Sequence, residues 1–327
     1  MDAEWGMAMR LCDAKPFPYQ MTLGAIQNDS LLYQMGYAMA NRQRKLGVHL
    51  NFSPAVDINT NAKNPVIGLR SLGSDPELVT KKAGMLLRGM QDGGLMTSIK
   101  HFPGHGDTST DSHHTLPVVP HSLDRLNQVE LYPFKTLIED GVFSVMVGHL
   151  EVPALEKVKG RPSSLSSSIV TDLLKKKFGF SGLVVTDALN MKGVSDYSGN
   201  ESASLGSFLA GADLLLIPDD LRLAFADIRN AVLSGTISEE RLAYSVKKIL
   251  SAKYDSNLHE LKTVNPKDLQ VDLQTSDFTA LRHQLAEASL TVIRNVGKVL
   301  PIQKLEDSQI AYVLSLIHIS EPTRRKR

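Results

Sequence analysis

The chain has little of what marks a disulfide-bonded, membrane-spanning or nucleic-acid-binding protein. Its 327 residues include one cysteine, Cys12, which excludes an internal disulfide framework and a Cys-rich zinc site. No apolar run approaches the ~20 residues of a membrane span. Residues 1–20 also lack the basic start and apolar middle of a signal peptide. The composition therefore predicts no membrane span, and it does not distinguish one cellular compartment from another, so no localisation is predicted.

The charge balance is equally uninformative about a polyanionic partner. The 36 Lys and Arg residues against 35 Asp and Glu give a net charge of +1, so no global field favours nucleic acid or an anionic membrane. The sequence also lacks a G-x-S-x-G elbow, a Walker A loop and a G-x-G-x-x-G fingerprint. Their absence argues against α/β-hydrolases, P-loop NTPases and Rossmann enzymes.

From residue 29 to about 255, helical periodicity alternates with short apolar runs. The predicted strands are uninterrupted apolar segments: Val48–Phe52, Leu95–Ile99, Phe143–Val147, Gly182–Val185 and Leu214–Ile217. Strands that are apolar throughout, rather than alternating, are buried on both faces, which is typical of a parallel sheet covered by helices. Repeated βα units of this kind fit either a (β/α)₈ barrel or an open doubly wound sheet.

The residues that follow the strands favour the barrel. Polar side chains come after strand upon strand: Asp57, Lys100, His101, His149, Glu151, Asp187 and Asp219. In a barrel all strands end at one mouth, so these groups converge on a single site. We therefore predict an α/β fold of the TIM (β/α)₈ type. Because only five clear strands follow residue 47, we expect the barrel to be truncated at its N-terminus.

The predicted domain boundaries follow the composition. We expect a catalytic barrel over 1–255 and a polar linker over 256–285, where Asn265–Pro266 breaks any regular element. An apolar stretch from residue 286 predicts the truncated start of a C-terminal α/β domain, which continues to 327. From about Leu314 onward the charged tail is interpreted as solvated chain, or as non-native sequence.

The segment Lys100–Pro117 is the richest in chemistry, because it holds four His and two Asp. If this segment is extended, Asp111 and His113 lie on one face, and the carboxylate favours a protonated imidazole that serves as a general acid. Pro103 and the glycines that follow it predict a mobile flap. An incidental polar loop is the plain alternative.

A metal site is a sharper alternative for this loop. His101, His105, Asp107, Asp111 and His113 are all possible ligands. No H-E-x-x-H helix or Cys pair accompanies them, so no zinc pattern matches. We therefore predict no metal and no other cofactor.

Asp187 ends the apolar run Gly182–Thr186. At the mouth of a barrel a rigid, ionised aspartate suits a carboxylate nucleophile. An N-cap for the next turn is the structural alternative, and for an isolated Asp it would be the better interpretation. The candidate acid in the Lys100–Pro117 segment makes catalysis the favoured role.

These residues resemble glycoside hydrolase family 3, in its bacterial β-N-acetylglucosaminidase branch. Lys100–His113 is similar to that branch's K-H-F-P-G-H-G-D-T-x-x-D-S-H signature, and Asn64–Ser71 and Val184–Met191 are similar to two further blocks. The resemblance implies a TIM barrel, often followed by an α/β sandwich domain. One block departs from the pattern, since Asp2–Gly6 reads D-A-E-W-G where the family usually has D-x-E-G-G.

The resemblance also implies residue roles. Asp187 aligns with the nucleophile and Asp111 and His113 with the acid/base dyad. Residues aligned with groups that grip the terminal sugar are Asp57, Arg70, Lys100 and His101. The implied activity is retaining hydrolysis of terminal β-N-acetylglucosaminides, with a peptidoglycan-derived fragment as the carbohydrate substrate. A β-glucosidase-type member, a metal-dependent hydrolase, an inactive sugar-binding barrel and phosphorolysis remain open alternatives.

Overall fold

The computed structural model describes residues 1–197, 202–260, 263, 264, 266, 267, 269, 273–298 and 300–302. The chain divides into two compact units, Met1–Leu290 and Thr291–Arg327. The sheet, its helices and the candidate active site all belong to the first unit. Most of the predicted second domain and the charged tail, residues 303–327, lie outside the described residues.

Four parallel strands form one sheet in the order in which they occur along the chain. They are β1 (Leu50–Asn51), β2 (Met96–Phe102), β3 (Ser144–Val147) and β4 (Leu183–Thr186). In-register pairs include Leu50 with Met96, Ser98 with Ser144, and Val145 with Val184. A strand order that follows the sequence is that of a barrel, whereas a doubly wound sheet reverses direction at a switch point.

Backbone contacts extend this order on both sides. The Met1 carbonyl accepts a hydrogen bond from the Phe52 amide at 2.9 Å, so the first residues run beside β1. Leu214 forms a parallel bridge with Val185 beyond β4. The predicted fifth strand, Leu214–Ile217, is thus reduced to a single bridge. The observed architecture confirms the predicted α/β fold of TIM-barrel type; an N-terminal truncation stays a prediction.

Helices connect the strands and cover the sheet. Their bounds are Gln20–Gly24 (α1), Ser30–Lys45 (α2), Pro76–Asp92 (α3), Leu123–Gln128 (α4), Tyr132–Glu139 (α5), Ser168–Lys177 (α6, of π type), Lys192–Ser195 (α7), Ala203–Ala210 (α8), Leu221–Leu233 (α9), Glu239–Asp255 (α10) and Ser276–Ala288 (α11). Among the described residues no helix combines the length and apolar character that a bilayer crossing requires.

Local sequence explains where several helices begin. The Asp75 side chain accepts a hydrogen bond from the Leu78 amide, and Pro76 occupies the first turn of α3. Ser202 and Ser238 cap α8 and α10 in the same way. Each cap satisfies an amide that otherwise has no partner inside the helix. One predicted helix over 122–140 is instead two, α4 and α5.

The core fills the space between the strands and helices α2, α3 and α5. Its largest buried side chains include Phe102, Phe134, Met35 and Leu86. Helix α11 also belongs to it, since Phe278 and Leu285 are buried there. The compact unit therefore runs past the predicted linker of 256–285, whose last ten residues are packed helix. That 286–327 begins a second α/β domain stays a prediction.

Candidate active site

Four ionised side chains form a buried ion-pair cluster at the carboxyl end of the sheet. Glu4 lies in the segment beside β1, and its carboxylate contacts the Arg70 guanidinium at 2.8 Å and the Lys100 ammonium at 2.7 Å. Lys100 also contacts Asp2 at 2.8 Å. The Lys100 and Glu4 side chains are 2% and 0% exposed. Buried charges persist only when they are paired in this way, as they are in this ion-pair cluster (Asp2, Glu4, Arg70, Lys100).

Asp57 organises the residues that follow Lys100. Its carboxylate accepts hydrogen bonds from the amides of His101 and His105, and lies 2.7 Å from Nδ1 of His101. The other ring nitrogen of His101 lies 3.2 Å from the Arg70 guanidinium. The predicted sugar ligands Arg70, Lys100 and His101 are thus brought together. Asp57 lies beneath them, fully buried, and holds His101 in one orientation.

Burial and pairing act in opposite directions on these carboxyl groups. Burial alone would raise the pKa of Asp57, but the adjacent His101 and the donated hydrogen bonds lower it below the usual range. Burial likewise opposes ionisation of Glu4, yet the charges of Lys100 and Arg70 hold its pKa far below the usual range. Both groups are therefore anionic at neutral pH.

Asp187 follows β4 directly, at the same rim. Its amide donates to the Val147 carbonyl, and its Oδ1 accepts from the Ala188 amide at 2.8 Å. Burial raises the pKa of this carboxyl, but His101, His149 and the Ala188 amide together lower it. The side chain is partly exposed. Among the described residues no cation forms an ion pair with its carboxylate.

His149 is a buried neighbour that sequence reasoning did not assign. Nδ1 lies 2.7 Å from the Ser164 hydroxyl, and Nε2 lies 3.1 Å from the Ala188 carbonyl. Burial lowers its pKa, although the charge of Asp187 opposes the shift. His149 therefore holds the backbone next to Asp187. Its position at the end of β3 was the only sequence signal for it.

Asp111 and His113 form the predicted pair. Nδ1 of His113 lies 2.7 Å from Oδ1 of Asp111, and the same oxygen accepts from the His113 amide. The His113 side chain is 61% exposed and the Asp111 side chain is 30% exposed. Burial raises the pKa of Asp111, but hydrogen bonds from His113 lower it overall. The backbone here is a turn and not the extended segment expected, since the Asp111 carbonyl accepts from the amides of His114 and Thr115.

The loop over 103–117 is only partly the exposed flap that we expected. Its first residues are buried, because the Asn64 side chain donates to the carbonyls of His105 and Gly106. A side chain at Gly106 would overlap the Ile58 carbonyl. This glycine therefore permits close packing and not the predicted freedom of the backbone. Exposure begins at Ser109.

A backbone hydrogen bond links this loop to the segment after Asp187. The Gly193 amide donates to the Ser112 carbonyl at 3.0 Å, which holds the residue next to His113 above α7. In the described part of the chain no hydrogen bond or ion pair joins His113 directly to Asp187. That the two side chains face each other across one rim stays a prediction.

The candidate metal ligands of the loop are not brought together. Of the His, Cys, Asp and Glu residues described, only Asp107, His121 and Glu130 form a group with metal-ligating spacing. His101 and His105 are committed to Asp57 and Thr108. Asp2 and Glu4 were not assigned a role from the sequence, although they lie in the block that departs from the family pattern.

A parallel α/β barrel with an ionised carboxylate and a basic cluster at the carboxyl ends of its strands is compatible with a glycoside hydrolase. Residues 1–252 match the Glycosyl hydrolase family 3 N terminal domain. The chain therefore belongs to glycoside hydrolase family 3.

Individual relatives agree with this assignment. The chain is 32% identical over 352 residues to Beta-hexosaminidase A of Pseudoalteromonas piscicida, which covers 100% of this chain and 56% of that protein. A family 3 β-N-acetylglucosaminidase from Paenibacillus sp. str. FPU-7 is 40% identical with a TM-score of 0.84, over 90% of this chain and 57% of its own. Beta-glucoside phosphorylase BglX is 28% identical with a TM-score of 0.81, over 89% and 54%. The chain spans somewhat more than half the length of these relatives.

Proposed function

We propose that this protein hydrolyses terminal non-reducing β-N-acetylglucosaminides with retention of configuration. The observation that supports the proposal is that the ionised Asp187 carboxylate directly follows β4, while the His113–Asp111 pair lies on a loop whose Ser112 carbonyl accepts a hydrogen bond from Gly193, six residues after Asp187. The bacterial hexosaminidases among the relatives support the choice of sugar.

Asp187 is the nucleophile of the proposed mechanism. Its carboxylate attacks the anomeric carbon while protonated His113 gives its proton to the departing glycosidic oxygen, and a glycosyl-enzyme ester forms. Neutral His113 then takes a proton from water, which attacks the anomeric carbon and releases Asp187. Asp111 holds the imidazole through Nδ1, so that Nε2 carries the transferred proton.

The ion-pair cluster and His101 bind the sugar. Lys100, Arg70 and His101 supply charged or polar donors, which make strong and oriented hydrogen bonds to hydroxyl groups. The Asp2 carboxylate, 32% exposed, adds an acceptor that the sequence analysis did not assign. Asp57 contributes indirectly, because its carboxylate is occupied by His101 and His105.

A cleft of about 420 Å³ beside the His-bearing loop suits the leaving group. Its lining includes His114, Lys159, Lys192 and Tyr197. Two lysines outnumber the one aspartate of the lining, Asp196, and with the aromatic ring they favour a carboxylate-bearing sugar or peptide. This chemistry supports a peptidoglycan-derived fragment as the natural substrate.

Phosphorolysis is the second candidate. A neutral imidazole repels an incoming phosphate less than a carboxylate would, and a structural neighbour is titled a β-glucoside phosphorylase. In that case phosphate replaces water in the second step and the product is a sugar 1-phosphate.

One assay separates these candidates. The purified chain is incubated with 4-nitrophenyl β-N-acetylglucosaminide or the corresponding β-glucoside, with and without phosphate, beside Asp187→Ala as the control. We expect release of N-acetylglucosamine that initially carries the β configuration by NMR. A preference for the glucoside, an α product, or sugar 1-phosphate would each contradict the proposal. Activity that survives in Asp187→Ala would show that Asp187 is not the nucleophile.

A further inference from the structure

A second cluster of potential ligands lies outside the catalytic rim. Asp107, at the start of the His-rich loop, His121, before α4, and Glu130, between α4 and α5, each place one ligand atom within 4.8 Å of the others. Nε2 of His121 already lies 2.6 Å from Oδ2 of Asp107. None of the three contributes to the proposed catalytic mechanism.

Glu130 makes this more than a group of polar neighbours. Its side chain is 2% exposed, and its Oε2 is buried with no hydrogen-bond partner. The other carboxylate oxygen accepts from Arg125 at 2.9 Å. A buried carboxylate oxygen without a partner is costly, so a cation or a hydrogen-bond donor next to Oε2 would stabilise this position. Burial raises the pKa of Glu130, although Arg125 opposes the shift.

We propose that Asp107, His121 and Glu130 bind a divalent transition-metal ion, with zinc as the preferred probe. One imidazole nitrogen and two carboxylate oxygens are an accepted zinc donor set, and three protein ligands leave a fourth position for water. Arg125 remains on Oε1 of Glu130 and orients the carboxylate from outside the site. The two carboxylates and Arg125 sum to −1, a net negative charge that attracts a divalent cation.

The ion would connect two segments that differ in function. Asp107 precedes Asp111 by four residues on the loop that carries the acid/base pair, whereas His121 and Glu130 flank the short helix α4. Bound metal would therefore fix the base of the loop to the α4 segment and leave the exposed part free. Binding requires neutral His121 and ionised Glu130, so affinity falls as pH decreases.

Zinc titration of the chelator-stripped full chain tests this site. Isothermal calorimetry and elemental analysis should give one zinc per chain, and the melting temperature should rise with zinc. His121→Ala and Glu130→Gln should weaken binding more than 100-fold. The matched control is the double variant Asp111→Asn/His113→Ala, which removes the exposed His–Asp pair and should retain the ion.

Each outcome decides the proposal. Apo melting curves of the variants establish that they are folded, and the near-isosteric Asp107→Asn replaces either variant that is not. Absence of saturable binding up to 100 µM zinc (about the weakest affinity expected of a specific site, roughly Kd 10⁻⁴ M) would overturn it. Binding that persists in the cluster variants, or that disappears in the double control, would overturn it as well.

Discussion

The two halves of the candidate active site differ in how they are held. The ion-pair cluster joins the N-terminal segment to Arg70 and Lys100 through buried contacts of 2.7–2.8 Å. The acid/base pair stands on a more exposed loop: His113 is 61% exposed, and the backbone between the two residues is held at Ser112 by Gly193 and His105. A sugar-binding floor has to be preorganised, because its donors act at fixed positions. A proton donor that must let substrate in and out is instead carried on a loop.

This difference predicts whether a substitution lowers stability, turnover or both. A substitution in the ion-pair cluster leaves a buried charge without its partner, so it should lower stability as well as turnover. A substitution at His113 breaks an exposed contact with Asp111, so it should lower turnover and leave stability unchanged. Four experiments test this difference between the two halves of the site, and they follow in order of the size of the change that each should produce.

Asp187→Ala should lower kcat by about 10⁴-fold or more, since the covalent intermediate cannot form. The side chain makes one hydrogen bond, to the Ala188 amide, so the melting temperature should change little. Initial rates on the aryl N-acetylglucosaminide and a thermal melt measure both effects. A loss below tenfold would be incompatible with a nucleophile at this position.

Glu4→Ala should destabilise the fold by about 3–5 kcal/mol, because it leaves Arg70 and Lys100 buried without their shared counter-ion. Urea unfolding followed by circular dichroism measures the change. Glu4→Gln is the matched control, since it retains hydrogen-bonding capacity and should lose less. Equal stability of Glu4→Ala and the parent would show that the ion-pair cluster does not hold the floor.

His113→Ala should reduce turnover of substrates with poor leaving groups by about 10²-fold or more. Activated aryl glycosides need little protonation and should be affected far less. Unfolding free energy should shift by less than about 0.5 kcal/mol, because the residue is exposed. Comparable losses on both kinds of substrate would argue against a general acid.

His105 predicts a pH dependence of stability. Burial lowers the pKa of this residue to about 4, and the positive charge of His101 contributes to the same shift. The unfolded chain, with a pKa near 6.5, binds more protons between these values, so stability falls as pH falls through that window. The expected loss from this group is about 2 kcal/mol between pH 7 and pH 5.

Denaturant unfolding across that range measures the slope. His105→Gln should flatten it, with the remainder owed to His149, whose pKa is also lowered by burial. An unchanged slope in His105→Gln would assign the effect to other groups.

Local patterns predicted the scaffold well. Continuous apolar runs located β2, β3 and β4 to within a few residues, and Asp75–Pro76 located the start of α3. These signals are short-range, since capping and strand burial are decided by neighbours in the sequence. The barrel order followed from the polar residues that come after each strand.

Long-range pairing was less accessible. The partnership of Glu4 with Arg70 and Lys100 spans 66 and 96 residues, and nothing in residues 1–6 alone identifies it. The contacts of Asp57 with the amides of His101 and His105 were likewise not foreseen, because they depend on the packed fold. The sugar ligands and catalytic roles themselves stay predictions that the experiments above address.

The contacts of Ser112, the residue between Asp111 and His113, have a consequence for the proposed entry of substrate. Its carbonyl accepts a hydrogen bond from the Gly193 amide at 3.0 Å, and its hydroxyl lies 3.2 Å from Nε2 of His105. Ser112 is buried whereas the His113 side chain is 61% exposed. In the proposed mechanism a bulky aglycone therefore meets the side chain of His113, and the backbone that carries it stays tied to the interior.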